Sequence, residues 1–310
     1  AMSGTQGAVT APADIMLQAV KAMPSGDVHL TLDAGNGRLE MRSGRTKYRL
    51  ATLPADDFPE LARDAAHVSL TLPCTVAARL LAETVFAADT ERHYLAGVRL
   101  DTPANTRLLR ATCTDGHRLV AFVVGLPDGA PALPPGIIIP RAAQADIGRL
   151  ADADGDIIVR IAGTRVVIDV GATRYTSKLV DGIYPDTDRV IPPLECKTAA
   201  KLRRADLAEA AGRMLAVLDA KSTAISVEVK DGEMILACKR GHDHEAEDAV
   251  ACEATGGDWI DGISARYLVD QLAVMRGEFV ELVKDGAGAA YRFVDDGDVT
   301  AVHVIMPMRY

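Results

Sequence analysis

Aromatic residues make up only 4% of this 310-residue chain, and its five cysteines include no CxxC pair. The cores must therefore rest on Ala, Val, Leu and Ile, within a hydrophobic content of 48%. An odd number of scattered cysteines argues against a disulfide framework and against a zinc site. The sequence predicts a globular protein of two to three domains with reduced, mostly structural thiols.

Long apolar runs and an excess of basic residues are also absent. No stretch approaches the roughly 18 apolar residues of a membrane span, and the first residues lack the charged, apolar and cleavable pattern of a signal peptide. These absences predict a cytoplasmic protein. The formal charge of −9 opposes tight non-specific binding to nucleic acid, which needs several Lys or Arg contacts to phosphates. A role on DNA would have to use local basic patches or topology.

Patterns typical of catalytic and metal sites are weak. Asp115 and His117 are close in sequence, but neither a Gly-flanked Ser nor a reactive Cys accompanies them. The glycines do not form a phosphate-binding loop. His242-Asp243-His244 could donate metal ligands, although two histidines in a Gly-rich and acidic turn are more typical of a solvated loop. The sequence predicts no catalytic residue, no metal and no cofactor.

What is present is an internal repeat. The segment Gly44 to Tyr48 followed by Phe58-Pro59 recurs as Gly171 to Tyr175 followed by Tyr184-Pro185, about 126 residues later. Around each copy, a helical segment precedes three short segments of alternating hydrophobicity. A third copy starts near Ile263. Each copy has the order α-β-β-β.

Two related units precede the second and third copies, so the chain is predicted to contain five half-domains. Helices are predicted near residues 12–23, 73–87, 140–150, 205–218 and 263–276. The fold class is α+β, built from repeated α-β-β-β half-domains. The five half-domains amount to about two and a half domains.

The chain ends on an apolar, thioether-rich tail from Val304 to Tyr310 that contains Met306-Pro307-Met308. Terminal residues are normally polar, so this tail is expected either to be buried core or to form a surface that accepts varied apolar partners, for which flexible Met is suited. A second segment, Thr114-Asp115-Gly116-His117-Arg118-Leu119, favours the binding surface. Two more motifs accompany them: residues 52–59 (Thr-Leu-Pro-Ala-Asp-Asp-Phe-Pro) and residues 177–186.

These motifs together resemble the bacterial sliding clamp family, the beta subunits of DNA polymerase III, from about Gly7 to Tyr310. The resemblance implies the DNA-clamp fold, with helices lining an inner face and antiparallel sheets outside. It implies a partial first clamp domain over residues 1–65 (its second half only), a second clamp domain over 66–195 and a third over 196–310. It also implies a non-catalytic accessory subunit that encircles duplex DNA as a head-to-tail homodimer.

The resemblance further implies a hydrophobic cleft that binds short peptides of DNA polymerase III, the clamp loader and other replication and repair proteins. The deep pocket of this cleft is expected at Leu95, Thr114, Gly116, His117, Arg118, Leu119, Pro185, Val190, Val304 and Met306. The neighbouring subsite is expected at Arg92, Tyr94, Tyr267, Ala290, Pro307, Met308 and Arg309. Tyr310 stands where the family usually has Leu, so a difference in either affinity or peptide preference is expected at the outer subsite.

Basic residues near the predicted helix ends are candidates for contacts to DNA phosphates. They are Lys21, Arg79, Arg149, Arg213 and Arg276, with Arg141 at the start of a helix. The alternative is that Lys and Arg at helix C-termini complement the helix dipole. A basic residue near the end of each of five helices favours a shared DNA-facing surface. Contacts to phosphates alone would allow the protein to slide without reading sequence.

The dimer interface implied by the resemblance joins a basic and apolar edge to an acidic and apolar one. The first edge consists of Ile15, Ala19, Arg45, Lys47, Tyr48 and Leu50, and the second of Val217, Leu218, Glu245, Glu247 and Asp248. An alternative function follows from the partial first domain. A shortened clamp paralogue that cannot close a ring would act as an adaptor or competitor for clamp-binding proteins.

Overall fold

The chain divides into two compact units, Ala1–Asp64 (unit 1) and Ala65–Tyr310 (unit 2). A computed structural model describes residues 7–33, 35–59, 68–151, 155–193, 195–196, 198–219, 222–241, 243–286 and 288–310. No helix within these ranges is long and apolar enough to cross a bilayer.

In its described residues, unit 1 contains one α-helix and two small antiparallel sheets. Its helix is α1 (Ala13–Ala22), and its strands are β1 (Val9–Thr10), β2 (His29–Asp33), β3 (Arg38–Ser43), β4 (Thr46–Ala51) and β5 (Leu53–Pro54). The sheets have the orders β1-β5 and β2-β3-β4. Alternating residues of β3 and β4 point to the helix, so that Leu39, Met41 and Leu50 form a small core with Met16 and Met23.

The described part of unit 2 contains four α-helices. They are α2 (Cys74–Ala77), α3 (Arg141–Ala151), α4 (Arg204–Leu215) and α5 (Ala265–Val274). Helix α5 begins at an N-cap in which the Ser264 hydroxyl accepts a hydrogen bond from the Tyr267 amide at 3.3 Å. Helices α4 and α5 pack against each other.

The described strands of unit 2 form three antiparallel sheets. The strands are β6 (Val68–Pro73), β7 (Gly97–Asp101), β8 (Leu108–Thr114), β9 (Arg118–Gly125), β10 (Ile137–Pro140), β11 (Asp156–Ala162), β12 (Arg165–Val170), β13 (Thr173–Lys178), β14 (Thr198–Arg203), β15 (Ala224–Lys230), β16 (Glu233–Arg240), β17 (His244–Ala251), β18 (Glu253–Thr255), β19 (Trp259–Ser264), β20 (Phe279–Lys284), β21 (Tyr291–Asp295) and β22 (Ala301–Ile305). The sheet orders are β13-β12-β11-β6, β17-β16-β15-β19 and β10-β7-β8-β9-β22-β21-β20-β14-β18. Two hydrophobic cores lie between helices and sheets, one mainly from residues 68–168 and one from residues 200–305.

The repeated α-β-β-β order is confirmed at α1-β2-β3-β4, α3-β11-β12-β13 and α5-β20-β21-β22. One long helix over residues 73–87 is a wrong prediction. The α-helix continues after Ala77 as a π-helical turn over Ala78–Ala82, in which the Glu83 amide donates to the Ala78 carbonyl. The Thr84 hydroxyl bonds the Leu80 carbonyl at 3.1 Å, and such side-chain bonds compete with helix continuation.

Candidate functional site

The turn between β8 and β9 is fixed by its own side chains. The Asp115 carboxylate accepts hydrogen bonds from the amides of His117 and Arg118, both at 3.0 Å. The Thr114 hydroxyl accepts from the Gly116 amide and donates to the Arg118 carbonyl. Gly116 has φ +79°, which a side chain would strain. The Thr-Asp-Gly-His-Arg-Leu segment therefore forms a defined turn.

Arg118 connects this turn to helix α5. Its guanidinium donates to Asp115 Oδ2 at 2.9 Å, to Asp270 Oδ2 at 2.6 Å and to the Phe86 carbonyl at 2.5 Å. The same group lies over the Tyr267 ring, 4.5 Å from the ring centroid. Because each of its three guanidinium nitrogens makes a hydrogen bond within the protein, Arg118 stabilises the turn.

Arg92 closes the other side of the turn. Its Nε donates to Asp89 Oδ2 at 2.6 Å, and its Nη2 bonds the Asp115 carbonyl. The hydrogen bond that Arg92 donates to Asp89 raises the pKa of Arg92. A Cβ on Gly116 would lie 3.1 Å from the Arg92 guanidinium, so a glycine permits this close approach.

The C-terminal tail is tied to unit 2 at two backbone positions. Strand β22 pairs with β9, placing Val304 opposite Leu119. Beyond the strand, the Met306 amide donates to the His117 carbonyl at 2.7 Å, and the Met308 amide donates to the Gly262 carbonyl at 2.9 Å. A Cβ on Gly262 would collide with the Met308 carbonyl. The tail backbone is fixed, while the side chains of Met306 and Met308 remain exposed by 37% and 41%.

A small apolar cluster lies beneath the tail. Leu119, Ala121 and Val304 are buried, and Ile191 and Ala290 pack against them half-buried. The side-chain amide of Gln271 in α5 donates to the Leu119 carbonyl at 3.0 Å and to the Val304 carbonyl at 3.2 Å. This residue holds the two strands together where β9 and β22 meet.

The segment that carries Pro185 and Val190 is attached by polar contacts. The Tyr184 hydroxyl accepts from the Thr114 amide at 2.9 Å, and burial raises the pKa of Tyr184. Arg110 donates to Asp188 Oδ1 at 2.5 Å and also pairs with Asp101. Pro185 and Val190 are themselves exposed. Tyr184 and Asp188 also line a cavity of about 680 Å³.

The tail, the turn and the segment after Tyr184 are thus linked, and we call their shared surface the candidate cleft. Of the residues expected there, Leu95, Thr114, Leu119 and Val304 are buried and give it support rather than open surface. The exposed or half-exposed ones are Arg92, Tyr94, Gly116, His117, Arg118, Pro185, Val190, Tyr267, Ala290, Met306, Pro307, Met308 and Arg309. Sequence reasoning missed Asp270, Gln271 and Gly262 as supports, since each acts through a contact with a sequence-distant strand or tail.

One candidate for DNA contact is wrong. Arg79 is only 6% exposed, and its guanidinium bonds Asp298, Glu83 and the Val274 carbonyl while lying 3.7 Å from the Phe122 ring centroid. It is therefore a structural residue. The remaining candidates are exposed: Lys21 in unit 1, and Arg141, Arg149, Arg213 and Arg276 in unit 2. Arg213 and Arg276 also pair with the carboxylates of Asp248 and Glu83.

The expected interface residues divide in the same way. Ile15, Arg45 and Lys47 of unit 1 are exposed, although Lys47 pairs with Glu40 at 2.7 Å, and Tyr48 is half-buried. Glu245 and Glu247 are exposed on β17, Val217 is half-buried, and Asp248 pairs with Arg213. Ala19, Leu50 and Leu218 are buried within their own units, so they do not offer contact surface to another subunit. Short apolar side chains on the inner face of an element pack on their own core.

The other predicted features involve cysteine and histidine. All five cysteines are free. His242, of the predicted His242-Asp243-His244 loop, lies outside the described residues. Among the residues that the structure does describe, no group of three or more His, Cys, Asp or Glu side chains is arranged to hold a metal ion.

Repeated α-β-β-β half-domains whose sheets join edge to edge, with a tail bound across the junction, define the clamp class of proteins. Three family models match the chain: the N-terminal domain of the DNA polymerase III beta subunit over residues 1–62, its central domain over 71–186 and its C-terminal domain over 188–309. The chain belongs to the DNA polymerase III beta subunit family. It is a DNA sliding clamp and a non-catalytic accessory subunit, and DNA and polymerase are its general partners.

Relatives and solved structures agree with this assignment. The beta sliding clamp of Escherichia coli K12 is 31% identical over 309 residues, covering 98% of this chain and 82% of that protein. A sliding clamp structure from Caulobacter crescentus has a TM-score of 0.89 at 31% identity and covers 98% of this chain and 82% of that one. A clamp from Bartonella birtlesii bound to griselimycin has a TM-score of 0.89 at 30% identity and covers 99% and 83%. These comparisons give no support to the alternative adaptor function.

Proposed function

We propose that the candidate cleft binds short peptides of DNA polymerase III, the clamp loader and other replication and repair proteins, and so tethers them to DNA. The observation that carries the proposal is the combination of a fixed tail backbone with exposed thioethers at Met306 and Met308. Flexible Met side chains on a rigid support can adapt to different apolar anchors. The griselimycin complex of the Bartonella clamp supports a ligand site on a protein of this fold.

The expected affinity follows from the size of the surface. Burying a Leu or Phe anchor contributes about 1.5–3 kcal/mol, and two anchors with a few polar contacts reach micromolar binding, about −8 kcal/mol. Arg92 and His117 at the rim can donate to peptide carbonyls. Binding of this strength permits exchange of several partners on one clamp.

We propose further that the exposed Lys21, Arg141, Arg149, Arg213 and Arg276 face duplex DNA and contact phosphates only. Few contacts are compatible with sliding. We also propose a head-to-tail homodimer, in which β4 of one subunit meets β17 of the other. Each is the outer strand of its sheet in the described chain. Arg45, in the turn between β3 and β4 of one subunit, would approach Glu245 and Glu247 on β17 of the other.

The peptide proposal is tested with Met306→Glu, which puts a charge on the cleft surface without touching the buried cluster. The probe is a fluorescent peptide with adjacent Leu and Phe anchors, titrated with the full chain. We expect its dissociation constant to rise about 30-fold, equal to about 2 kcal/mol for one lost apolar anchor. Val299→Glu, at a residue that is 89% exposed and away from the tail, is the matched control. Equal binding by both variants would refute the cleft.

The DNA proposal is tested by retention on circular DNA. A clamp that encircles duplex DNA should remain on a nicked circle after loading and leave when the circle is cut to a linear form. Release from both forms at the same rate would contradict a topological link.

A further inference from the structure

Lys284 of β20 is a buried charge beneath the C-terminal tail. Its side chain is 2% exposed, and its ammonium group forms an ion pair with the Asp261 carboxylate of β19. The ammonium nitrogen also lies 4.7 Å from the centroid of the Trp259 ring and 5.0 Å from that of the Tyr291 ring, distances at which a cation is attracted to an aromatic face. A lysine is almost never fully buried unless it is paired. One carboxylate and two aromatic rings hold this charge in the interior of unit 2.

The ion pair joins two different sheets. Lys284 belongs to the nine-stranded sheet, in which β20 lies between β21 and β14. Asp261 belongs to β19, the strand at one end of the four-stranded sheet β17-β16-β15-β19. Apolar packing also holds these sheets together, but hydrophobic contacts have no preferred direction. Because a charge-assisted hydrogen bond is directional and strong, the pair fixes β19 against β20 more closely than the core alone would.

The C-terminal tail crosses between the same two sheets. It leaves the nine-stranded sheet at the end of β22, where the Met306 amide donates to the His117 carbonyl beside β9. Two residues later, the Met308 amide donates to the Gly262 carbonyl of β19. Each end of this short crossing is therefore attached to a different sheet. The same two ends carry the exposed thioethers of Met306 and Met308.

The ion pair lies next to the second attachment of the tail. Asp261 directly precedes Gly262, and successive residues of a strand point to opposite faces of the sheet. The Asp261 side chain points inward, where it meets Lys284. On the other face, a Cβ added to Gly262 would collide with the Met308 carbonyl oxygen. The backbones are thus in such close contact that a shift of β19 at this position also moves Met308.

Asp261 also holds a second wall of the neighbouring subsite. Its Oδ2 accepts a hydrogen bond from the Gly288 amide at 3.3 Å. Gly288 comes two residues before Ala290, which packs half-buried against the apolar cluster beneath the tail. One carboxylate is therefore connected to both sides of the subsite expected at Ala290 and Met308.

We propose that the ion pair between Lys284 and Asp261 positions Met308 and so determines how much the neighbouring subsite of the candidate cleft contributes to peptide binding. The positioning role rests on the proposed peptide function of the cleft. Lys284 is buried and Asp261 points inward, so both act through the tail and neither contacts the peptide. The pair acts on Met308 and not on Met306, because Met306 is attached to the sheet that carries Lys284 itself.

The first test is a double-mutant cycle with the fluorescent peptide that carries adjacent Leu and Phe anchors, titrated with the full chain. We expect Met308→Ala to raise the dissociation constant of the natural chain about tenfold, because part of an apolar contact is lost. In a chain that carries Lys284→Met, the Met308 side chain is no longer held in place. Met308→Ala should then have less than about a twofold further effect. Met306→Ala should weaken binding by the same factor with and without Lys284→Met.

Lys201→Met is the control for the loss of a lysine that lies over an aromatic ring. Lys201 is on β14 of the same sheet, 5.3 Å from the centroid of the Phe279 ring, and it is exposed. This variant should leave the effect of Met308→Ala unchanged. A full effect of Met308→Ala beside Lys284→Met would overturn the positioning role. Equal loss of the Met306→Ala and Met308→Ala effects would also overturn it, since that result indicates a general loosening of unit 2.

A second variant covers the possibility that Lys284→Met alone fails to fold. Removal of one member of a buried ion pair can be strongly destabilising, because it leaves the other charge without a partner. Lys284→Met combined with Asp261→Asn leaves neither charge, and circular dichroism checks the fold of both variants. The combined variant should show the same loss of the Met308→Ala effect. A full Met308→Ala effect in the combined variant would overturn the proposal.

Hydrogen exchange of single amides, measured by NMR, tests the attachment of the tail without any peptide. Lys284→Met should make the Met308 amide, which donates to Gly262, exchange at least tenfold faster. The Met306 amide, which donates to His117, should keep its rate. An unchanged rate at Met308 would overturn the positioning role even if the cleft binds the peptide. If the natural chain does not bind the peptide but Met308 exchanges faster in the variant, the proposed function is overturned and the link between the ion pair and the tail is supported.

Discussion

Arg79 and Arg149 both stand near the end of a predicted helix in unit 2, yet their surroundings differ completely. The Arg149 side chain is 81% exposed and makes one weak pair with Asp146 at 3.5 Å. The Arg79 side chain is 7% exposed and bonds two carboxylates, of Glu83 and Asp298, and one carbonyl. The difference teaches that burial of the side chain, and not its position at a helix end, decides whether a basic residue remains a candidate for contact with DNA.

The physical cause lies in residues far along the chain. Asp298 is 219 residues from Arg79, and the helix around Arg79 passes into a π-helical turn that brings its side chain against Phe122. No partner of this kind reaches Arg149 among the described contacts. The following substitutions test this contrast between buried and exposed charge, beginning with the largest effect.

Replacing Arg79 by Met should lower the free energy of unfolding by about 3 kcal/mol at pH 7. The loss arises because the carboxylate of Asp298 is left without its partner in a largely buried place. Arg149→Met, the matched control, should change the free energy by less than about 0.5 kcal/mol. Denaturant titration measures both. Equal losses in the two variants would remove the distinction between the two arginines.

The same pair predicts a change in acid sensitivity. Burial acts to raise the pKa of Asp298, but hydrogen bonds from Thr300 and Arg79 outweigh it and lower the pKa. A carboxyl with a lowered pKa contributes stability above its unfolded pKa of about 3.9, and this stability is lost as the pH falls through the folded pKa. Arg79→Met should therefore lose less stability than the natural chain when the pH falls below about 4.

His303 gives the next largest effect. Burial, with a further contribution from the charge of Arg79, lowers the pKa of His303 to about 3, while Asp295 and Asp298 act in the opposite direction. Its Nδ1 lies 2.6 Å from Gln271 Oε1. Below pH 6.5, His303 binds a proton in the unfolded chain but remains neutral in the folded chain. The free energy of unfolding therefore decreases as the pH falls, by about 1.4 kcal/mol per pH unit.

The test compares the free energy of unfolding at pH 6.5 and pH 5. The natural chain should lose about 2 kcal/mol more than His303→Asn over this interval. His117→Asn, which removes an exposed histidine, is the matched control. If His303→Asn and the natural chain lost the same free energy of unfolding between pH 6.5 and pH 5, the prediction that His303 is buried and neutral would be refuted.

An ion pair between a buried and an exposed residue should contribute less than the buried pairs of Arg79 and more than the exposed pair of Arg149. Arg110 is largely buried, whereas the Asp188 side chain is 61% exposed. We expect Asp188→Asn to weaken peptide binding about fivefold, since a pair of this type is worth up to about 1 kcal/mol and anchors the segment that carries Pro185 and Val190. Asp186→Asn is the control, because Asp186 pairs with Arg189 of the same segment. Equal affinities for the two variants would show that Asp188 has no positioning role.

Sequence reasoning reached the fold because its evidence is local. Alternation at Val166, Ile168 and Val170 predicts a half-buried strand whatever lies above it, and the structure has β12 there. The turn at residues 115–117 could also be predicted from the sequence, because its hydrogen bonds join residues two or three apart. Gly262 with Met308 and Gln271 with Val304 are different. These contacts depend on how sequence-distant strands pack together. They cannot be predicted from residue type or from spacing along the chain.

The smallest effect concerns DNA. Arg149→Ala should lower the slope of log affinity for duplex DNA against log salt concentration by about one, because one phosphate contact releases roughly one counterion. Arg189→Ala is the control, since its side chain is similarly exposed at 84% but lies in the short 3₁₀ turn Asp188–Val190 and not in an α-helix. If Arg149 only complements the helix dipole, its replacement should reduce stability slightly and leave the salt slope unchanged. The measurement therefore separates the two roles that sequence alone left open for every basic helix end in the chain.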